Sequence, residues 1–369
     1  MKVLHINSYY SNRFFYKNLY DNQINQGIDI NVYVPVADNY IKPDIDFGPF
    51  TKISKNHGKY DRAIFQIKHS KILDDMKTHY KFDEFQLLHA HSLFSNGYIA
   101  YKINEEYGVP YIATVRNTDL NTFFKYMIHL RKLGISILLN SKKIVFLSKS
   151  LRDELIDNYI PETHKESILK KSVIIPNGLD PFWLKNKNLP KEKSSGKNIR
   201  IIQVGIVNKI KNPLTSCKAV EVLIDKGYKV KFDVVGKVED KRVFQKLIEK
   251  EYVNYHSPVP KEKLISMYRE NDVFILPSLE ETFGLVYAEA MSQGLPVLYS
   301  KGQGFDNQFP NGKIGYAIDK TNEEDIAHNV LKVLGDYEKL SERAVDSVEK
   351  FDWVKISEEF FTIYNLILR

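Results

Sequence analysis

Two carboxylates and the turn between them are the residues with the most evident chemistry. Glu281 and Glu289 are separated by eight positions, and Phe283, Gly284 and Leu285 lie between them, where a helical pattern begins. In a continuous helix the two acids would be about 12 Å apart at ~1.5 Å per residue. Paired acids that act on one glycosidic bond are about 5–9.5 Å apart. The spacing therefore favours contacts with two ends of one elongated ligand.

The turn between these acids predicts an anion site. The first N–H groups of a helix have no helical acceptor, and they form a favourable position for phosphate. A carboxylate, a phosphate site and a second carboxylate suit a sugar that is joined through diphosphate to ribose. The other interpretation is that Glu280 and Glu281 only favour the positive helix end, and that Glu289 is solvated.

Basic residues follow the first strand pattern of the second half of the chain. Gly205 comes after that strand, and Lys209 and Lys211 lie in the loop behind it. A cation at this position could neutralise a diphosphate leaving group, with the largest effect in a dry site. Both lysines could also be ordinary loop residues.

The first half of the chain has further candidates, each after a strand pattern. Tyr9, Tyr10 and Arg13 could face a sugar, because aromatic faces suit sugar C–H surfaces, or they could be packing residues. Arg116 could stabilise phosphate charge or form a structural ion pair, and Asn117 follows it directly.

Two histidines raise the question of a metal. His89 and His91 are two apart on a predicted strand, so both side chains point to the same face. They could bind a metal as a pair, although the sequence shows no third ligand, or they could line a wall of the site or the core. Asp44 and Asp46 form an Asp-x-Asp pattern, but in a Pro-flanked loop. We therefore expect no metal and no cofactor.

Strand patterns alternate with helical patterns along almost the whole chain, which predicts α/β structure with mainly parallel sheets. In doubly wound sheets of this kind, ligands bind at the carboxyl ends of the strands. The predicted strands are Val3–Asn7, Ile28–Val36, Leu87–His91, Tyr111–Arg116, Lys143–Leu147 and Ser172–Ile175, then Arg200–Val207, Val230–Val235, Asp272–Leu276 and Pro296–Tyr299.

A break in composition divides the pattern into two domains. Residues 184–197 are polar and charged without periodicity, which is typical of a linker. We expect an N-terminal domain over residues 1–183 and a C-terminal domain over 198–350. The apolar spacing within 353–369 predicts a last helix, which we expect to pack back on the first domain.

The composition excludes several classes of protein. The 369 residues include 53 Lys and Arg against 46 Asp and Glu, and 43% are hydrophobic, so the chain can bury a core. The single cysteine, Cys217, excludes an internal disulfide and a cysteine zinc cluster. No run approaches the ~20 apolar residues of a membrane span, and polar residues interrupt any secretory leader. We expect a cytoplasmic protein, whose basic excess favours nucleotides, nucleic acid or anionic lipid without distinguishing them.

The Glu281–Glu289 segment resembles the Glu-x7-Glu motif of retaining glycosyltransferases of the GT-B type, family four. Other segments match in order, namely His89-Ala-His91, Ile175–Asp180, Val204–Asn212, Val235-Gly236 and Asp272–Ser278. The resemblance implies two Rossmann-like domains that face a central cleft. It implies that the first domain handles the acceptor and the second binds the donor through Gly205, Lys209, Lys211, Glu281, Phe283, Gly284, Leu285 and Glu289. By the same resemblance Glu289 holds the ribose hydroxyls and Glu281 contacts the transferred sugar.

The sequence departs from the family pattern in three places. Ile206 stands where the family has an Arg after the Gly, so Lys209 could supply that charge, although it cannot copy a bidentate guanidinium. Asn7–Arg13 replaces a Gly-Gly loop, so Tyr9, Tyr10 and Arg13 could face the acceptor, and His91 and Asn117 are the other candidates on the acceptor side. Arg116 and Asn117 replace the His and Gly of a Thr-x-His-Gly-x-Asp pattern, which puts the role of that His in doubt.

The resemblance implies an enzyme that moves a hexose-type sugar from a nucleotide-diphosphate sugar to a glycan or lipid-linked acceptor, with Glu281, Lys211 and Arg116 shaping the charge. We expect a role in bacterial-type polysaccharide or glycoconjugate synthesis and no nucleic acid partner. Two alternatives stay open, a sugar-nucleotide epimerase of the same fold and a non-catalytic nucleotide or glycan binder.

A basic and apolar segment bears on where the protein works. Residues 123–143 interleave large apolar side chains with Lys and Arg. They predict either an amphipathic helix that rests on the inner face of an anionic membrane, or a core face with a solvated cationic edge.

Overall fold

The computed structural model describes residues 1–369, apart from the side chains of Arg62 and Ala63. The chain forms two compact units. The first consists of Met1–Leu147, Leu151–Gly178 and Trp353–Arg369, and the second consists of Ser148–Ser150 and Leu179–Asp352.

Strands and helices alternate through both units. The strands are β1 (Lys2–Ile6), β2 (Asp29–Ala37), β3 (Thr51–His57), β4 (Leu87–Ala90), β5 (Tyr111–Val115), β6 (Lys143–Phe146), β7 (Ser172–Ile174), β8 (Asn198–Val204), β9 (Lys229–Val235), β10 (Val253–His256), β11 (Val273–Leu276), β12 (Val297–Ser300) and β13 (Gly315–Ile318). The helices are α1 (Tyr16–Asn25), α2 (Phe65–His79), α3 (Gly97–Tyr107), α4 (Arg131–Asn140), α5 (Lys149–Tyr159), α6 (Glu162–Lys171), α7 (Pro181–Lys185), α8 (Pro213–Asp225), α9 (Lys241–Ile248), α10 (Lys261–Glu270), α11 (Leu285–Ser292), α12 (Glu323–Gly335), α13 (Tyr337–Ser347) and α14 (Trp353–Leu368).

Each unit is built on one parallel sheet. The strand order is β3-β2-β1-β4-β5-β6-β7 in the first unit and β10-β9-β8-β11-β12-β13 in the second. Every residue of β4, β5, β11 and β12 is buried. Strands that are covered on both faces read as continuous apolar runs, which is why the central strands were evident in the sequence. The predicted α/β fold with two doubly wound Rossmann-like domains is confirmed.

Three strands were missed by the sequence analysis, and all three lie at sheet edges. β3, β10 and β13 are the end strands of their sheets. β3 alternates exposed and buried residues along Thr51–His57, and all of β10 is only partly buried. An edge strand has fewer neighbours, so β3 and β10 do not need the apolar runs by which the central strands were recognised.

The last helix of the chain belongs to the first unit. α14 packs beside α1, and Gln23 Nε2 donates a hydrogen bond of 3.1 Å to Tyr364 Oη. Ser357 Oγ donates to Gln26 Oε1 at 2.9 Å. Trp353, at the start of α14, lies against the backbone of Gly178, where any Cβ would be 2.2 Å from the indole.

The segment expected to be a linker is attached to the second unit. Asn188 N donates to Ser292 O at 3.0 Å, Lys191 N to Ser341 Oγ at 2.9 Å, and Ser194 N to Asp272 Oδ1 at 2.9 Å. The second unit already begins at Leu179, so the boundary expected after residue 183 lies inside it. The polar residues of the segment have acceptors and donors on the second unit, and composition alone could not show this.

Candidate active site

Two loops at the carboxyl edge of the second sheet bring Lys211 and Glu281 together. One loop follows β8 and the other follows β11, which are neighbouring strands. Lys211 Nζ lies 2.5 Å from Glu281 Oε2, and Glu281 is only 9% exposed. The two residues are 70 positions apart in the chain, so their ion pair is a product of the fold.

Backbone and amide hydrogen bonds hold the two loops in register. Leu279 N donates to Ile210 O at 2.7 Å, and Asn212 Nδ2 donates to Pro277 O at 3.1 Å. Glu281 N donates to the Gln303 side chain at 2.8 Å. Because both loops are fixed to each other, the Lys–Glu pair is positioned before any ligand binds.

The turn after Glu281 exposes a helix N-terminus. Gly284 has φ of +75°, and a Cβ there would lie 2.5 Å from the Tyr287 ring, so this position requires glycine. α11 begins at the next residue, and among the described residues the N–H groups of Phe283, Gly284 and Leu285 have no protein acceptor. N–H groups in this arrangement have the geometry that an anion site requires, and anion binding here stays a prediction.

Glu289 lies in α11, further along the same helix. Tyr268 Oη donates to Glu289 Oε2 at 3.4 Å. Burial raises the pKa of Glu289 to about 7, and the hydrogen bond from Tyr268 and the charge of Lys261 oppose that shift. Lys261 itself forms an ion pair with Asp180. The carboxyl of Glu289 therefore changes its charge near neutral pH.

The structure distinguishes the two loop lysines. Lys209 is exposed, and no carboxylate of the described residues lies within 4.0 Å of it. Ile206, in the position of the family's Arg, is 38% exposed. Gly205 lies in close contact with a second glycine, Gly236, because a Cβ on Gly236 would lie 1.8 Å from Gly205 O. Of the two lysines, Lys211 is the one that contacts Glu281.

In the first unit, Arg116 follows β5 and is held by neutral groups. Arg116 Nε donates to His91 O at 3.1 Å, and Nη1 donates to Asn177 Oδ1 at 3.1 Å. The guanidinium also lies 5.6 Å from the Tyr16 ring and 6.0 Å from the Tyr9 ring. It forms no ion pair with any side chain that the structure describes. The structural ion pair that was one interpretation of Arg116 is therefore absent within that set.

Asp119 is the residue of this region that the sequence analysis left without a role. Its carboxylate accepts the N–H groups of Leu93 at 3.0 Å, Phe94 at 3.0 Å and Arg116 at 2.8 Å. Burial raises the pKa of Asp119 to about 6, against the effect of these hydrogen bonds. It joins the loop after β4 to the loop after β5. Asp119 is the last residue of the Thr-Val-Arg-Asn-Thr-Asp segment, and its match to the Asp of the family pattern was the feature of the sequence that could have identified it.

The residues predicted on the acceptor side divide into buried and accessible ones. Tyr10 is fully buried and donates to Phe47 O at 2.9 Å, so it packs in the core and does not face an acceptor. Tyr9 is half-buried, and burial raises its pKa to about 12. Arg13 is exposed and Asn117 is half-buried. The expectation that Tyr10 faces an acceptor is therefore wrong, and its alternative as a packing residue holds. The sequence of a turn does not determine whether its tyrosine is buried.

The two histidines have a third partner that the sequence did not reveal. His5 in β1 lies beside them, and the ligand atoms of His5, His89 and His91 are within 4.8 Å of one another. His5 Nδ1 and His91 Nε2 are 3.0 Å apart. His89 is bonded through one nitrogen to Tyr364 at 2.6 Å and through the other to Thr114 at 3.1 Å. Burial holds the pKa of all three imidazoles below the usual range, which favours neutral rings. Within the described chain, His5 Nε2 is buried without a hydrogen-bond partner.

The basic segment at 123–143 is not one helix. It contains the end of a π-helical stretch, Asp119–Phe124, then a 3₁₀ turn, Ile128–Leu130, and then α4. Phe124, Leu130 and Ile137 are buried. Tyr126 and Ile128 are 71% and 64% exposed. The alternative of a single amphipathic helix is wrong, because separate short elements form the segment. Its apolar residues are divided between the core and the surface. No helix among the described residues is long and apolar enough to cross a membrane.

Comparisons with known proteins agree with this architecture. Residues 15–182 match the family model described as Glycosyltransferase Family 4, and residues 185–350 match the model described as Glycosyl transferases group 1. The capsular polysaccharide biosynthesis glycosyltransferase CapM of Staphylococcus aureus is 27% identical over 70% of this chain and 70% of its own length.

Solved structures resemble the whole chain. The apo form of the lipopolysaccharide outer core galactosyltransferase WaaB matches with a TM-score of 0.75 and 14% identity, over 99% of this chain and 100% of that one. Anabaena Alr3699/HepE in complex with UDP-glucose matches with a TM-score of 0.65 and 13% identity, over 99% and 100% of the two chains. At such low identity these likenesses show a common fold.

Proposed function

We propose, from the premise that this chain belongs to the GT-B glycosyltransferases, that it moves a hexose-type sugar from a nucleotide-diphosphate sugar to a glycan or lipid-linked acceptor. We propose further that the anomeric configuration is retained, and that the product belongs to a bacterial-type polysaccharide or glycoconjugate. The relative CapM is named for capsular polysaccharide biosynthesis, and the structure of HepE contains UDP-glucose. The UDP-glucose in HepE supports a sugar nucleotide as the donor, and the name of CapM supports a polysaccharide as the product.

The observation that carries this proposal is the Lys211–Glu281 ion pair beside the free N–H groups at the start of α11. A diphosphate leaving group gains negative charge as the sugar departs. A lysine and a helix N-terminus stabilise that charge, and they do so most strongly where water is excluded. The Glu281 carboxylate would meanwhile accept hydrogen bonds from hydroxyl groups of the transferred sugar.

Glu289 is assigned to the ribose of the donor. Its carboxylate can accept two hydroxyl hydrogen bonds, and it lies on the same helix whose N-terminus would bind the diphosphate. This order along one loop and helix is the order of sugar, diphosphate and ribose in a nucleotide sugar. Gly205 and Phe283 belong to the same two loops, and Lys209 is left as a second cation near them.

The reaction follows from this assignment together with the family resemblance. The bond between the anomeric carbon and the diphosphate oxygen breaks, and a bond from the acceptor oxygen forms on the same face of the sugar. The hydroxyl proton passes to the departing diphosphate, so no protein base is required. Because the acceptor oxygen attacks on the same face, no protein nucleophile is required either. Lys211 stabilises the charge that remains on the leaving group.

Two further assignments complete the proposal. Arg116 of the first unit contacts an anionic substrate group, because its guanidinium has only neutral partners among the described side chains. We also propose that no metal takes part in the transfer, because Lys211 supplies a cation at the leaving group.

We also propose peripheral contact with an anionic membrane. Tyr126 and Ile128 are exposed, and Lys125 and Lys132 are exposed beside them. Apolar residues that enter the interface and cations near the surface act together, each cation contributing about 1 kcal/mol. A lipid-linked acceptor would be met at such a surface.

Product analysis tests the function. The purified chain is incubated with a panel of UDP-hexoses, with and without a mixture of bacterial glycolipids and oligosaccharides, and products are followed by mass spectrometry and anomeric NMR. Transfer that needs the acceptor and keeps the anomeric configuration supports the proposal. Conversion of the donor sugar without acceptor would identify an epimerase, and UDP-sugar binding without turnover would identify a binding protein.

A further inference from the structure

We propose that a groove at the edge of the first unit binds an acidic saccharide, meaning a sugar that carries a phosphate or a carboxylate. The groove has a volume of about 500 Å³ and is lined by the loop between β2 and β3 and by β3 itself. β3 is an edge strand, so no further strand covers this side. That this saccharide is the acceptor rests on the proposed function, whereas the preference for an acidic sugar rests on the groove alone.

Three lysines give the groove its charge. Lys42, Lys52 and Lys55 belong to the lining and are exposed, and none forms an ion pair with any side chain that the structure describes. The acidic residue of the lining, Asp46, has partners of its own. It accepts Gly48 N at 2.8 Å and lies 3.9 Å from Lys17. With three lysines and one carboxylate, the lining of the groove keeps a net positive charge.

Aromatic side chains give the groove its apolar surface. Phe47 is 4% exposed, and its ring packs edge-on against Tyr10 at 5.2 Å and Phe14 at 5.6 Å. Tyr40 Oη donates to Ser11 O at 2.7 Å. Lys42 Nζ lies 5.5 Å from the centre of the Phe47 ring. Phe47 therefore forms the base of the groove, whereas the half-buried ring of Tyr40 can contact the C–H surface of a sugar. The adjacent lysines suit an anionic substituent of that sugar.

The loop that forms the groove is rigidly attached. Thr51 Oγ1 donates to Phe47 O at 2.7 Å, and Tyr10 Oη donates to the same carbonyl at 2.9 Å. Gly48 has φ of +79°, and a Cβ there would lie 2.4 Å from the Phe50 ring. The groove is therefore formed before a ligand arrives, and binding does not require the loop to be ordered first.

The groove adjoins the carboxyl edge of the first sheet. Tyr40 and the carbonyl of Phe47 are bonded to the turn Ser8–Ser11, which directly follows β1. Ligands of doubly wound sheets bind at this edge. Tyr9 lies in the same turn and Arg13 follows it, so a saccharide that extends from the groove would pass these two residues.

The first experiment is a lysine footprint on the full chain. Acetylation of each lysine is measured by mass spectrometry with glucose 6-phosphate, glucuronic acid, glucose or inorganic phosphate present. Protection of Lys42, Lys52 and Lys55 by the two acidic sugars, but not by glucose, supports the proposal. Equal protection by inorganic phosphate would reduce the groove to an adventitious anion site, and no protection by either sugar would overturn the proposal. Protection only by vesicles of phosphatidylcholine with phosphatidylglycerol would also overturn it and indicate a membrane surface instead.

The second experiment uses variants and separates this proposal from the proposed function. The double variant Lys52→Gln with Lys55→Gln should bind glucose 6-phosphate about tenfold more weakly in calorimetry, equivalent to about 1.4 kcal/mol. Lys81→Gln with Lys142→Gln, at exposed lysines elsewhere in the same unit, removes the same two charges and is the matched control. UDP affinity should be unchanged in both. Absence of UDP binding by the parent protein would contradict the proposed function. Equal affinity of all three proteins for glucose 6-phosphate would contradict the proposal that the groove binds an acidic saccharide.

Discussion

Lys211 and Glu281 form an ion pair of 2.5 Å between two loops that follow neighbouring strands of the second sheet. Glu281 is almost completely buried, so its charge has little stabilisation from water. Its stabilisation comes from Lys211 and, more weakly, from the hydroxyl of Ser278 at 3.4 Å. A donor that binds here would meet a cation and a carboxylate that are already oriented.

Lys211→Ala should lower kcat about 10²–10³-fold, because the contact with the leaving group becomes strongest as charge develops. Lys209→Ala, two positions earlier in the same loop, should lower kcat less than Lys211→Ala does, because Lys211 and not Lys209 forms the ion pair with Glu281. Steady-state kinetics with the active donor measures both. Similar rates for Lys211→Ala and the parent would show that Lys211 does not take part.

Glu289→Ala should weaken UDP binding by roughly 1–3 kcal/mol, because the ribose hydroxyls lose their acceptor. The pKa of about 7 also predicts a pH dependence. UDP affinity should rise between pH 6 and pH 8 as the carboxyl ionises, and Glu289→Gln should remove that rise. Calorimetry across this range is the measurement, and a parent affinity independent of pH would contradict the assignment.

The same carboxyl should affect stability with the opposite trend. Its pKa in the folded protein lies above the ordinary 4.5, so its contribution to stability is complete below pH 4.5 and is lost as the pH rises through 7. Glu289→Gln should therefore stabilise the protein relative to the parent at pH 8 more than at pH 5. Urea unfolding at the two pH values checks this difference.

Asp119→Ala should destabilise the protein by about 1–3 kcal/mol or more, because the three N–H groups of these buried hydrogen bonds lose their acceptor. Thr118→Ala, at the exposed neighbour, should change the free energy of unfolding by less than about 0.5 kcal/mol. Urea denaturation compares the two variants. If both had the same small effect, Asp119 would not hold the loops after β4 and β5.

Transfer activity should persist in excess chelator, since the proposed stabilisation of the leaving group comes from Lys211 and backbone N–H groups. The rate is measured before and after dialysis against EDTA, and again after Mg²⁺ or Mn²⁺ is added. Loss of activity that either ion restores would require a metal and would contradict the proposed mechanism.

The chain should co-sediment with anionic vesicles at low salt and less so at high salt, while neutral vesicles should not bind it. Lys125→Glu with Lys132→Glu should weaken the binding. Lys246→Glu with Lys263→Glu, at exposed lysines of the second unit, gives the same change in net charge and should have less effect. Equal loss in both double variants would indicate a response to net charge and not to a docking surface.

The sequence by itself determined the fold class and the linear order of the site in the second unit. Central strands such as β11 are continuous apolar runs because helices cover both of their faces. Gly284 marked the turn at which α11 begins, because only a glycine avoids the Tyr287 ring there. Local chemistry of this kind is visible in neighbouring residues.

Only the tertiary structure decided which distant residues meet. It selected Lys211 over Lys209 as the partner of Glu281, placed His5 beside His89 and His91, and buried Tyr10. It also showed that Asp119 joins two loops. Each of these outcomes depends on strand order and on the direction of a side chain in a loop. Strand order and side-chain direction do not follow from periodicity, because contacts between residues of separate strands are set by how the whole sheet packs.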